Sequence, residues 1–403
     1  MEAGARGDSG ASNVMITGGD HLSGARTARG QISLADWQRP EHIAWSYRHV
    51  REIIPTARVA RGRVESPLPA RQLGEELPGV AELMLNGFTD GLLVLHDGSV
   101  VVERYDRGMR ADETHLLQSV SKSITGTLTG VLVERGVLAP DDEVTAHVPE
   151  LTGTSFDGAR VRDLLDMRTG TRFDETYDDP DSDVRASEAQ FGWTLGPAPA
   201  PDALAFLAGL GNTRPHGGRF EYRSILTDVL GLVLERAGGA PFAELLGREL
   251  WAPIGAEHDA DVTVDRHGFA VADGGICVTL RDLGRFGRMV LDDGLVDGRS
   301  VVPAWWIADA LRGDDDSVGA FAADEHATDL PGGHYRNQWW VPAGGRVLLA
   351  LGIHGQFLYV DRGAGVVVAK LSTWPTPLDA ERRAATLATC QAIADHLSRG
   401  AST

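Results

Sequence analysis

Hydrophobic positions gather into short strand-like runs near both ends of the chain and take helical spacing between them. Residues 92–95 and 99–104 are two apolar, β-branched runs joined by His96-Asp97-Gly98, which predicts an antiparallel hairpin. Three further strand-like runs, 347–351, 357–360 and 366–371, are separated by turn residues. The spacing predicts a helix from about 119 to 135 that stops at Gly136, an amphipathic helix over 277–291 and a last helix over about 379–396.

Between these ends, 140–265 is helical and loop-rich, with 163–167 and 225–236 as its clearest helices. The pattern predicts an α+β fold. Residues 31–139 and 266–403 supply an antiparallel sheet flanked by helices, and 140–265 form an inserted, mainly helical lobe. A ligand would sit in the cleft between sheet and lobe. Residues 1–30, rich in Gly, Ser and Ala, are expected to be a flexible arm.

Composition narrows the class. With 403 residues, 42% hydrophobic and 24% charged, the chain is expected to bury a large core. Its formal net charge of −19 argues against nucleic acid and anionic lipid, because both demand clustered cations. Small molecules are the expected partners, and a homodimer is left open. No run of about 18 apolar residues predicts a spanning helix. The N-terminal stretch is too broken by glycine to read as a secretory signal, so a cytoplasmic location is expected. Cys277 and Cys390 are expected to pack in the core. Asp314-Asp315-Asp316 lacks the spaced ligands of a calcium loop and reads as a solvated acidic turn, and neither metal nor cofactor is expected.

The cations carry a sharper signal. Of 38 Lys and Arg residues only Lys122 and Lys370 are lysine. A guanidinium keeps its proton at neutral pH, whereas a buried ammonium can be driven to release one, so a site that needs a neutral amine must keep Lys. Ser119-Val120-Ser121-Lys122 opens the helix predicted at 119, and residues three apart share one helical face. Ser119 is therefore the candidate nucleophile and Lys122, as a neutral amine, its base. The competing account makes Ser119 a helix cap and Lys122 a solvated first-turn residue, which the helix dipole disfavours.

Around this pair the chain resembles a known family. Leu116 to Ser123 (LLQSVSKS), Phe220 to Gly231 (FEYRSILTDVLG), Gly274 to Arg288 (GGICVTLRDLGRFGR), Asn337 to Trp340 (NQWW) and Gly352 to Gln356 (GIHGQ) together resemble the 6-aminohexanoate-dimer hydrolases. These are nylon-oligomer amidases of the serine β-lactamase and DD-peptidase superfamily, and the likeness runs over nearly all of the chain after about residue 35. The resemblance implies the β-lactamase/DD-peptidase-like fold and makes Tyr222, in Tyr222-Arg223-Ser224, the proton relay to the leaving group, with Ser224 orienting substrate or Lys122. A phenol beside an amine is suited to that relay. The backbone N–H groups of Ser119 and Ile353 are implied as the oxyanion hole. Tyr177 and Glu188 fall where the family engages the amide and the substrate's amino group with Tyr and Asp, and Asp273 falls where it carries Asn or His. Trp339 and His354 are further candidates for substrate contact.

One departure matters. Where the family usually has K-T-G or H-T-G on a strand, this chain has Ala350-Leu351-Gly352. The missing cation and hydroxyl hold the carboxylate of a β-lactam, so linear amides and neutral esters are the expected substrates. The expected activity is a serine hydrolase that cleaves amides of the 6-aminohexanoate-dimer type and short-chain esters through an acyl-enzyme on Ser119. A carboxylesterase with little amidase activity, a β-lactamase/DD-peptidase-like enzyme and a non-catalytic binding domain are the alternatives.

Overall fold

Asp97 and Gly98 take positive φ, 48° and 75°, and turn the chain between strands Thr89–His96 and Ser99–Tyr105 as the hairpin signal predicts. The computed structural model describes residues 16–17 and 32–400. In it this hairpin forms one side of a seven-stranded antiparallel sheet whose other five strands come from the C-terminal part of the chain. The order across the sheet is His334–Arg336, Trp339–Val341, Val347–Gly352, Gln356–Asp361, Val366–Ser372, Thr89–His96, Ser99–Tyr105. Gln356–Asp361, Val366–Ser372 and Thr89–His96 are buried along their whole length, which suits interior strands. The first two strands were not evident in the sequence. Asn337 and Gln338, with φ of 52° and 67°, make the two-residue turn that joins them.

A second sheet of five short strands was also missed. It runs Ile16–Thr17, Thr56–Val59, Ala260–Thr263, Ile276–Val278, His115–Leu116. Strands of two to four residues leave too few alternations to register as a pattern. Of the arm expected over 1–30, only Ile16–Thr17 falls among the described residues, and there it pairs with Thr56–Ala57. The rest of that expectation lies outside the described residues. The amphipathic helix expected from 277 begins later, at Leu280, because Ile276–Val278 is a strand and Thr279 caps the helix by accepting from the Asp282 N–H.

The helix Val120–Glu134 runs through the middle of the molecule, with every residue from Val120 to Leu132 buried. Thr125, Thr127 and Thr129 each donate to the carbonyl four residues back, Ser123 donates to the Gln338 carbonyl and Ser121 accepts from the Ile276 N–H, so a polar sequence is tolerated in the core. One side of it meets the helix Ile225–Gly238 of the middle segment and another meets the main sheet. Its N-terminus thus opens where sheet and middle segment face each other. Asp314, Asp315 and Asp316 are exposed, as a solvated acidic run should be, but they open a helix: Asp314 caps Asp315–Ala322 and pairs with Arg336, while Asp316 pairs with Arg168. Among the described residues no helix is long and apolar enough to cross a membrane.

Candidate active site

Ser119 stands at the entrance to the Val120–Glu134 helix, and its hydroxyl does not cap that helix. Instead it accepts a hydrogen bond of 2.8 Å from Lys122 Nζ, the contact expected of residues three apart on one face. Gln118, immediately before, has φ of 48°, an unfavourable backbone for a side chain of its kind, and is held there by donating 2.6 Å to the Tyr47 hydroxyl. The Lys122 side chain is 1% exposed, so it is no solvated first-turn residue. Its other acceptors are the Asp273 carbonyl at 3.1 Å and the Asp273 carboxylate at 3.3 Å.

These neighbours bear on the neutral amine expected for Lys122. Burial works against the ammonium, while a Tyr222 phenolate and the Asp273 and Glu175 carboxylates favour it, and the balance lies above the ordinary lysine pKa. Asp273 is accordingly no surface charge. It lies against Lys122, and its N–H donates 3.1 Å to Asp228 Oδ1, a carboxyl whose pKa is driven up by burial and by Asp273 itself.

Tyr222 closes the other side of the nucleophile. Lys122 Nζ lies 5.2 Å from its ring centre, and both Ser119 and Lys122 act on the acidity of its hydroxyl. Burial is the larger influence and keeps that phenol above its ordinary pKa. Trp340 stacks on the Tyr222 ring at 5.2 Å. Trp339, the residue proposed for substrate contact, points to the opposite face of its strand and stacks on Phe286 in the core, 6.1 Å away. The NQWW signal named the right pair, and strand alternation decides which ring faces the cleft.

A carboxylate unforeseen in the sequence organises the next layer. Glu175 accepts from the Ser224 N–H at 2.8 Å, from the Ser224 hydroxyl and from the Tyr177 hydroxyl at 3.0 Å. It thereby ties the start of the Ile225–Gly238 helix to the loop that carries Tyr177. Burial raises the Glu175 pKa, and Lys122 offsets part of that rise. Its only sequence signal is its place in the acidic run Asp174-Glu175-Thr176-Tyr177-Asp178.

Two further candidates are placed differently from expectation. Glu188 is only 9% exposed and both its oxygens are held by Arg185 Nη1, at 2.8 and 2.6 Å, so its charge is already matched. His354 is 2% exposed and turned away from the cleft, its Nδ1 2.8 Å from the Trp374 carbonyl and its ring edge-on to Tyr47. Burial brings its pKa down to about 4, so it is uncharged at neutral pH.

Ser119, Tyr177, Tyr222, Gly352 and Ile353 line one cleft of about 550 Å³. Phe173, Trp340, Leu351, Phe357, Trp374 and Leu378 give it an apolar wall. Gly352 packs tightly against the segment before the helix: a Cβ there would sit 2.7 Å from the Leu117 carbonyl and 3.2 Å from Gln118 Cβ. Only a residue without a side chain lets this strand end press against the entrance to the helix.

Known proteins share this arrangement of chain. A beta-lactamase family model matches residues 70–392. The 6-aminohexanoate-dimer hydrolase of Paenarthrobacter ureafaciens is 37% identical over 374 residues, covering 91% of this chain and 94% of that protein. A Bacillus anthracis structure, provisionally named a 6-aminohexanoate-dimer hydrolase, superposes with a TM-score of 0.82 at 25% identity, over 92% of this chain and 98% of its own. Esterase EstB of Burkholderia gladioli is 30% identical over 169 residues, 41% of this chain and 43% of that protein. The chain belongs to the beta-lactamase family and is a serine hydrolase similar to the 6-aminohexanoate-dimer hydrolases.

Proposed function

We propose that the chain hydrolyses short linear amides of the 6-aminohexanoate-dimer type, and short-chain esters, through an acyl-enzyme on Ser119. The observation that carries this reading is the 2.8 Å contact between buried Lys122 Nζ and the Ser119 hydroxyl, on the wall of a partly apolar cleft. The relative named for 6-aminohexanoate dimer, 37% identical, supports the amide.

Lys122 and Tyr222 act as one base. With both protons in place they form the ammonium–phenol pair that Asp273 and Glu175 favour, and loss of one proton readies the pair to accept the Ser119 proton. Ser119 Oγ then bonds to the carbonyl carbon, and the developing oxyanion is held by the N–H groups of Ser119 and Ile353. Tyr222 delivers the proton to the leaving nitrogen or oxygen and the C–N or C–O bond breaks; water then attacks the acyl carbon and gives a proton to the same pair, the bond from that carbon to Ser119 Oγ breaks, and Oγ takes the proton back.

A second reading, a carboxylesterase with weak amidase activity, is favoured by one observation: Arg185 occupies both oxygens of Glu188, the carboxylate expected to receive a substrate ammonium. Purified protein assayed side by side on 6-aminohexanoate dimer, a short nitrophenyl ester and a chromogenic cephalosporin separates the readings. Turnover of the dimer, lost in Ser119→Ala, is the expected result. Ester turnover alone selects the esterase, and Ser119→Ala that keeps turnover rejects both.

A further inference from the structure

The chain's second lysine has no part in that chemistry, yet it is fully buried. Lys370 lies on the strand Val366–Ser372 between Phe357 and Leu92 of the neighbouring strands. An ammonium in such a place costs several kcal/mol unless it is matched. The carboxylate that raises its pKa, Asp90, is taken up by Arg107 and Thr373. What Lys370 does bond is the Gly355 carbonyl, at 3.2 Å, and the Ser372 hydroxyl, with the Trp374 and Phe357 ring centres 5.1 and 5.6 Å from Nζ.

The Gly355 carbonyl belongs to the turn that carries Ile353 into the cleft. In this turn His354 and Gly355 both take left-handed backbone, φ 58° and 88°, and a Cβ at Gly355 would come within 2.4 Å of the Trp374 ring. Such a backbone persists only where its surroundings fix it. Each of its three carbonyls accepts a hydrogen bond. Gln356 Nε2 donates to the Ile353 carbonyl at 3.3 Å, and the Trp374 N–H to the His354 carbonyl at 3.0 Å. Lys370 donates to the third. Gln356 also bonds the Ser372 carbonyl at 2.6 Å, so the two anchors share one strand.

We infer that Lys370 is a positioning residue that sets the Ile353–Gly355 turn for oxyanion binding. It touches neither substrate nor Ser119, and it acts through the Gly355 carbonyl. Apolar burial, partly offset by Cys390 and Asp90, brings its pKa down to about 7, which fits a donor kept for its hydrogen bonds rather than for an ion pair. The inference rests on the oxyanion hole proposed above.

The test compares wild type, Lys370→Met and Ser119→Ala with three probes: a nitrophenyl ester, phenylboronic acid and planar benzamide. The boronate forms a tetrahedral anion on Ser119 and needs the oxyanion hole, whereas benzamide does not. Lys370→Met is expected to lower kcat and weaken phenylboronic acid together by about tenfold or more, with benzamide affinity within about twofold of wild type. A merely structural residue would lower the thermal midpoint without separating the two inhibitors. A folded Lys370→Met protein with boronate affinity within about twofold of wild type overturns the inference. Should Lys370→Met not fold, Ser372→Ala takes its place: a boronate loss of about threefold or more is expected, and unchanged affinity overturns it. Failure of the nucleophile reading would look different, since Ser119→Ala would then keep turnover and boronate binding.

Discussion

Arg185 Nη1 donates to both carboxylate oxygens of Glu188, at 2.8 and 2.6 Å, one helical turn apart in the helix Asp183–Gln190. A free carboxylate bonded to a substrate ammonium would contribute about 1.5–3 kcal/mol, on the order of tenfold or more in kcat/KM. With the charge already matched, Glu188→Gln is expected to change the ratio of kcat/KM between 6-aminohexanoate dimer and its N-acetyl derivative by less than about twofold. A loss confined to the free-amine substrate would show that Glu188 leaves Arg185 to bind it.

Lys122→Ala is expected to lower nitrophenyl ester turnover by about 10²- to 10⁴-fold while the circular dichroism spectrum stays that of wild type. Lys122→Arg is expected to be no better, because a guanidinium does not give up its proton. An Arg variant with near-normal turnover would remove Lys122 from the base.

Asp273→Asn tests the electrostatics. The Asp273 carboxylate is one of the groups that hold the Lys122 pKa above its ordinary value, so the singly deprotonated, active pair is populated only as pH rises. Removing that charge lowers the pKa, and the rising limb of kcat/KM moves to lower pH, by about one unit. A limb that stays in place or moves up contradicts the assignment.

Tyr222→Phe is expected to cut amide cleavage by about 10²-fold or more and nitrophenyl ester cleavage much less, since nitrophenolate departs without a proton. Equal losses on both substrates would make Tyr222 part of the base alone.

Gly352→Ala places a methyl group 2.7 Å from the Leu117 carbonyl. Backbone cannot give way as a flexible side chain does, so a stability loss of about 1–3 kcal/mol in urea unfolding is expected, together with a fall in kcat larger than any rise in KM. Wild-type stability would mean that the strand end and the helix entrance are less tightly pressed together than the geometry requires.

The main hairpin, the core strands, the principal helices and the Ser119–Lys122 pair were legible in the sequence because each rests on local spacing: alternation of two, a helical period, or residues three apart. Lys122 and Lys370 stood out for a simpler reason, as the two lysines in a chain that otherwise uses arginine. The folded chain alone decided what depends on neighbours distant in sequence. Asp273, 151 residues from Lys122, sets a carboxylate against the amine and, with Tyr222, favours its protonated form. Arg185 pairs with Glu188, Trp340 rather than Trp339 faces the cleft, and Glu175 gathers Ser224 and Tyr177. A residue's charge state and facing are set by the dielectric and partners that packing brings to it, and periodicity along the chain carries no record of those.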